Sequence, residues 1–328
     1  MRSFIFKRLR YMLLLMALMT VFAFIVIQLP PGDYVSSYIM KLQAQMGDVL
    51  DPAQIDAIRK QYGMDENPVI QYFKWIFNML RGDFGRSFEW NKTVLEMIGS
   101  RLPATLLLST LTLMLTYAVA IPIGIYSARK QYSILDYTFT TFGFIGLSMP
   151  SFFLALVLSY LVNKFTGMSV GGLYSPEFSN APMSFAKFAD LLKHLPLPIL
   201  IIGLAGTAQI IRIMRGNMLD EKNKLYVTAA RARGLKESTL IYKYPVRVAL
   251  NPIISTIGAI LPGIFSGATV TAIVLNIPTI GSLLYGALLS QDMYLAGACI
   301  MLLTFLTLFG TFISDVLLAI VDPRIRFS

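Results

Sequence analysis

A chain with one histidine and one cysteine has little from which to build a reactive centre. His194 follows Lys193 at the edge of an apolar run, where a lone interfacial histidine is a packing residue before it is an acid or base. Cys299 has no second thiol, so no disulfide forms within the chain, and one His with one Cys falls short of the three or four ligands of a zinc site. Asp315 is the one acid well inside an apolar stretch. An acid at such depth is a functional candidate by default, but Arg324 and Arg326 follow it, and a structural ion pair is the better reading. No G-x-x-x-x-G-K-[ST] phosphate loop, H-E-x-x-H or G-x-S-x-G occurs; Gly146-Leu-Ser-Met-Pro150 comes nearest to the last and fails. The spacing that stands out is basic. In LYVTAARARG, Leu225–Gly234, an alanine-rich run ends in Arg231 and Arg233 and stops on Gly234. Helix formers fill the run, and Gly234 sits where a helix C′ glycine belongs.

The elements that hold this strip are apolar. Only 14% of the 328 residues are charged, against about 25% in soluble domains. Tyr11–Leu29, Leu102–Ala128, Tyr137–Asn163, Leu195–Ile211 and Met293–Ser314 contain no Asp, Glu, Lys or Arg, and each approaches or exceeds the roughly 17–25 residues of a spanning helix. A sixth uncharged region, Val248–Gln291, is longer than one span; it reads as one span over about Asn251–Ile273 and then an external loop or re-entrant turn. The expected fold is an all-α integral membrane protein with six transmembrane helices. Arg2, Lys7, Arg8 and Arg10 precede the first run, which ends in Gln28-Leu-Pro-Pro without an A-x-A-like cleavage site, so it reads as a retained span. With the N-terminus inside, 17 of the 28 basic residues are cytoplasmic, and the positive-inside rule puts both termini in the cytoplasm. The net charge of +10 is thereby explained by the membrane and not by nucleic acid. Three regions follow: 1–29, the N-terminal tail and first span; 30–101, an external segment with helix-like pieces Pro52–Tyr62 and Pro68–Leu80; and 102–328, five further spans with a cytoplasmic loop at 212–247.

Two places in this frame invite a function. Pro278 and Gly281 break the overlong apolar stretch, and irregular backbone at membrane depth is tolerated only where it is buried in protein or lines a cavity. Asn276, Pro278, Gly281 and Tyr285 are therefore candidates for an external gate or pathway, with a packed external loop as the equal alternative. The strip at Leu225 is the other place. Ala229, Ala230 and Ala232 give its helix a thin wall that another surface can approach closely; the alternative is a loop helix in the lipid interface.

The strip resembles a known pattern. Thr228-Ala-Ala-x-x-x-Gly234 looks like the "EAA" loop of bacterial ABC importer permeases, with Thr228 where the family carries Glu. Leu29-Pro-Pro-Gly-Asp33, Arg81-Gly-Asp-Phe-Gly-Arg-Ser87, Arg101-Leu-Pro-Ala-Thr105, Ser148-Met-Pro-Ser-Phe152, Ala249-Leu-Asn-Pro252 and Asp322-Pro-Arg-Ile-Arg326 resemble, in order, the dipeptide/oligopeptide/nickel permeases of the first-subunit type. The resemblance implies a type I ABC importer permease fold in a bacterial or archaeal cytoplasmic membrane. It implies a homologous second permease subunit, two cytoplasmic ABC ATPase subunits that carry ATP and Mg, and an extracellular or periplasmic substrate-binding protein. It implies no cofactor on this chain. Contact with the ATPases would fall on Leu225, Tyr226, Thr228, Ala229, Ala230, Arg231, Arg233 and Gly234. Ala272 stands where relatives often carry an acid, so the pathway is less acidic than theirs. The cargo that the resemblance implies is an oligopeptide or similar small solute, with oligosaccharides as the alternative. Outside this class stand an integral-membrane enzyme using Asp315 or His194, and an ion channel.

Overall fold

The computed structural model describes residues 2–28, 66–87, 89–167 and 171–321, with Ile39, Asp51, Ala53 and Ile55. The motif Leu29–Asp33, the motif Asp322–Arg326 and, apart from Ala53 and Ile55, the piece Pro52–Tyr62 lie outside the described residues. Regular structure among the described residues is helical, with one isolated antiparallel bridge between Arg86 and Thr93. The α-helices are α1 (Arg2–Gln28), α2 (Pro68–Leu80), α3 (Val94–Arg129), α4 (Ile134–Ser148), α5 (Ser151–Thr166), α6 (Phe185–His194), α7 (Pro196–Lys222), α8 (Leu225–Ala232), α9 (Glu237–Lys243), α10 (Pro245–Val274), α11 (Ile280–Leu289) and α12 (Met293–Val321).

Four segments, α1, α3, the joined α6–α7 and α12, are each long and apolar enough to cross a membrane, and α4 with α5 passes as a bent pair. The 30-residue α10 covers the stretch in which the sequence predicts one span. Four spans, or five with the bent pair counted as one, are thus shown among the described residues, and α10 lies where the sequence predicts a further one. Two expectations need correction. Tyr137–Asn163 is not one straight helix: α4 and α5 meet at 108°. Pro150 disfavours the helical region for the residue before it, and Met149 is accordingly extended at φ −98°, ψ 130°. The loop at 212–247 is shorter than its lack of apolar runs suggests, because α7 continues through Arg212 and Arg215 to Lys222.

The chain forms two compact units. In the unit of Met1–Arg8, Ala104–Pro278 and Thr307–Ser328, α7 packs chiefly against α10 and α4. Small residues let these helices approach, as span packing in lipid requires. A Cβ on Gly124 of α3 would lie 2.6 Å from Met214 Cβ of α7, and one on Gly146 of α4 would lie 2.7 Å from Leu204 Cγ. The same α4–α7 joint carries a buried ion pair. Arg215 donates from Nε and a terminal nitrogen to the two Asp136 carboxylate oxygens, both at 2.9 Å, and the Tyr132 backbone N–H also bonds Asp136. Such a bidentate fork is the strong form of the interaction.

The unit of Leu9–Pro103 and Thr279–Leu306 is built around two joints. Asn67 caps α2, its Oδ1 accepting from Val69 N at 2.9 Å, and Pro68 opens the helix; such a cap is worth about 1 kcal/mol. Trp75 of α2 is buried with Phe24 of α1 and Met301 of α12. The second joint explains the Arg81–Ser87 motif. Gly85, at φ +79°, passes against the Tyr294 ring, and Ser87 Oγ donates to the fully buried carboxylate of Asp292, which also accepts from Leu295 N at the start of α12.

Candidate functional site

The strip folds as its residues predict. Leu225–Ala232 is α8, Arg233 caps it, and Gly234 follows at φ +80°, its N–H bonded to Arg231 O at 3.0 Å. At its start, Glu221 accepts from both Lys224 Nζ and Tyr226 Oη. Partial burial of the Tyr226 phenol, and then this hydrogen bond, push its pKa up to about 12. At its end, Arg231 donates two bonds to Glu237 of α9, at 3.1 and 3.0 Å. The Arg231 guanidinium holds the Glu237 carboxyl below its usual range. The short inter-span region is thus clasped at both ends.

The faces of α8 differ from the sequence expectation in one respect. The sequence suggests one contact face for Ala229 and Ala230, but the structure separates them. Val227 and Ala230, three residues apart and so on one face, are 0% and 6% exposed and pack into the chain's own core with Met218 and Leu240. The outward stripe is Leu225, Thr228, Ala229 and Ala232, all exposed, with Leu225 88% exposed. Its i, i+3, i+4, i+7 spacing is one helix face. Tyr226, Arg231 and Arg233 are also exposed.

The other predicted group is reordered. The break after α10 is made by Asn276, not by Pro278 and Gly281. Asn276 takes φ +51°, Ile277 N bonds Ala272 O at 2.7 Å, and Asn276 N bonds Ile273 O at 3.0 Å. This is the Schellman closure, with asparagine in the usual glycine position. Pro278 follows as a residue that cannot continue the helix, and Gly281 is a buried helical residue of α11. Asn276 and Tyr285 are exposed. In the unit that holds α11, a cavity of about 290 Å³ is lined by Trp90, Arg101 and Ser282.

Neither outside candidate forms a reactive site. His194 is buried, its Nδ1 2.9 Å from Asp190 O, and the Asp190 carboxylate is taken by Ser175 through Oγ and N, each at 2.7 Å. Asp315 pairs with Arg8, Nε to Oδ2 at 3.3 Å; Arg324 and Arg326 lie outside the described residues. Sequence reading missed Asp136–Arg215, Ser87–Asp292 and Arg231–Glu237. The only signal for the first two was charge placed at the edge of an uncharged run.

Comparison with known proteins agrees with this arrangement. Residues 120–327 match the family described as "Binding-protein-dependent transport system inner membrane component", and residues 1–109 match "Binding-prot-dependent transport system membrane comp, N-term". The chain is 32% identical to the oligopeptide transport system permease protein AppB of Bacillus subtilis (strain 168) over 328 residues, all of both chains. It is 30% identical to the oligopeptide transport system permease protein OppB of Haemophilus influenzae, again over the whole of both chains. A putative peptide permease protein of Brucella suis biovar 1 is 33% identical over 321 residues, 94% of each chain. With helices of membrane length among the described residues and family matches over residues 1–109 and 120–327, the chain belongs to the binding-protein-dependent transport system inner membrane component family, as a multi-pass permease subunit of an ABC importer and not an enzyme.

Proposed function

We propose that this permease carries oligopeptides inward across the cytoplasmic membrane, together with a homologous second permease, an external binding protein that delivers the cargo, and two cytoplasmic ATPases that dock on α8. The names of the relatives support peptide cargo. The observation that carries the docking reading is the outward stripe Leu225, Thr228, Ala229 and Ala232. A helix seated in a protein groove needs small residues on its contact face and a defined stop. A lipid-surface helix would present several large apolar residues, and this stripe has one. The clasps by Glu221 and Glu237 hold α8 to the ends of its neighbours, so a movement of α8 is passed to α7 and α9. ATP-driven closure of the partners would then switch the spans as rigid bodies.

Two substitutions separate partner contact from internal packing. Ala229→Trp points outward: the permease keeps its thermal stability, but binds the ATPases weakly and loses transport. Ala230→Trp overpacks the chain's own core at a cost of about 1–3 kcal/mol, and lowers thermal stability before any partner is added. Normal ATPase binding and substrate-stimulated hydrolysis by Ala229→Trp would overturn the docking reading.

The same proposal places α8 inside and the turn after α10 outside, with Asn276 and Tyr285 near an external gate. In a Cys299→Ala background, an impermeant thiol reagent added outside intact cells reacts with Asn276→Cys, at a rate that changes during ATP turnover, and does not reach Leu225→Cys. The reverse pattern sinks the orientation; a rate indifferent to turnover sinks the gate.

A further inference from the structure

A cavity of about 480 Å³ lies between α8, α9 and the ends of α3 and α7. Its lining is divided. Arg129, Lys130, Lys222 and Arg231 supply cationic groups; Met218, Val227, Leu240 and Ile241 supply an apolar floor. The one acid in the lining, Glu237, is engaged by Arg231 through both carboxylate oxygens. Arg129 also acts on the Glu237 carboxylate, without contact, while Lys130 and Lys222 pair with no carboxylate among the described residues, so four cations face one acid and the lining keeps a net charge of about +3. Lys222 Nζ donates to Ala128 O at 3.2 Å, and Lys130 Nζ lies 5.8 Å from the Tyr126 ring centre. Like charges gathered at the edge of a low-dielectric region repel, and an anion seated among them removes that cost.

We propose that this cavity binds a phosphate ester, the headgroup of an anionic membrane lipid, beneath α8. Three observations select this chemistry. The uncompensated charge is positive. Arg129, Lys130 and Lys222 sit where the membrane-length helices α3 and α7 end. The apolar floor suits the glycerol and first methylenes of a lipid, which a free phosphate lacks. Basic pockets between spans recruit such headgroups. Four cations less one acid leave about three net positive charges, which give a roughly hundredfold preference for an anionic over a zwitterionic lipid. Because the cavity shares Arg231 with the α8–α9 clasp, occupancy braces α8 against the spans. The inference rests on the docking proposal only in making this brace a regulator of coupling; the site itself does not depend on it.

The test is lysine footprinting of the whole importer complex with an amine-acylating reagent, read by mass spectrometry at Lys130 and Lys222 against Lys236, which is exposed and outside the cavity. The probes are phosphatidylcholine vesicles, the same vesicles with phosphatidylglycerol, and phosphatidylcholine vesicles with inorganic phosphate. Phosphatidylglycerol slows acylation of Lys130 and Lys222 about tenfold or more and leaves Lys236 unchanged; Arg129→Gln weakens the protection at Lys222 severalfold. Protection by phosphatidylglycerol alone assigns the ester to the bilayer, and protection by inorganic phosphate supports the same site with solution as its source. Equal rates in all three, or equal protection of Lys236, overturns the site. So does protection that depends on the ATPases and not on the lipid, which would make a protein acid the occupant. Ala229→Trp leaves the lipid footprint intact, so failure of the docking proposal and failure of this one are seen separately.

Discussion

Replacing Gly234 by valine perturbs the end of α8 through backbone conformation alone. Gly234 sits at φ +80°, and a Cβ built there meets no atom within 4 Å. No clash contributes, so the cost is that of holding an L-residue in the left-handed region, about 1–2 kcal/mol, with a β-branched side chain worst. At 1.4 kcal/mol per tenfold, the turn opens roughly 5- to 30-fold more often. What opens is the Gly234 N–H bond to Arg231 O and, with it, the geometry that aims Arg231 at Glu237. Asparagine tolerates this region and alanine lies between, so amide exchange across α8 and α9 should rise in the order Gly, Asn, Ala, Val. The midpoint of thermal unfolding should stay put, because no spanning helix changes. Exchange in Gly234→Val equal to that of the parent, or equal to that of Gly234→Asn, would refute the reasoning.

Asp136→Asn strands Arg215 and should lower thermal stability by about 3 kcal/mol, the low end for a broken buried pair because the Arg215 side chain is 27% exposed. Asp136→Leu with Arg215→Met should recover most of the loss, and a double variant as unstable as the single one would count against the pair as its cause. Acidification acts on the other clasp. Arg231 lowers the pKa of Glu237, so the folded state holds this carboxylate more readily than the unfolded one. The resulting stabilisation is complete above the ordinary carboxylate range and is lost as pH falls through that range to the lowered value. A spin label at Lys236→Cys should therefore become more mobile on acidification, and Glu237→Gln should be mobile at every pH; identical pH profiles for the two would exclude the clasp.

How far the chain could be read depended on the range of the signal. The membrane-length helices are legible because lipid excludes charge over about 20 consecutive residues, a property of each segment by itself. The ends of α8 are legible because helix propensity and a stop glycine act within one turn. The bend at Met149 was also written locally, in Pro150, but an uncharged run on both sides outweighed it. Asn276 stands among the gate candidates, but its role as the helix stop is not legible, because the left-handed position after a helix is sought as glycine, while asparagine can fill it. The inward face of α8 needed a reference outside the helix: Ala229 and Ala230 are the same residue type, and only the core formed by Met218 and Leu240 distinguishes them. Ser87 and Asp292 are 205 positions apart, and Asp136 and Arg215 are 79 apart. No periodicity links such partners. Each looks like a stray polar residue at the rim of a span until the fold closes, yet a carboxylate left unpaired there would cost several kcal/mol. A charge that persists at the edge of an apolar run is therefore best read as a demand for a distant partner. By the same reasoning, Lys130 and Lys222, which pair with no carboxylate among the described residues, are the cations that the proposed headgroup would serve.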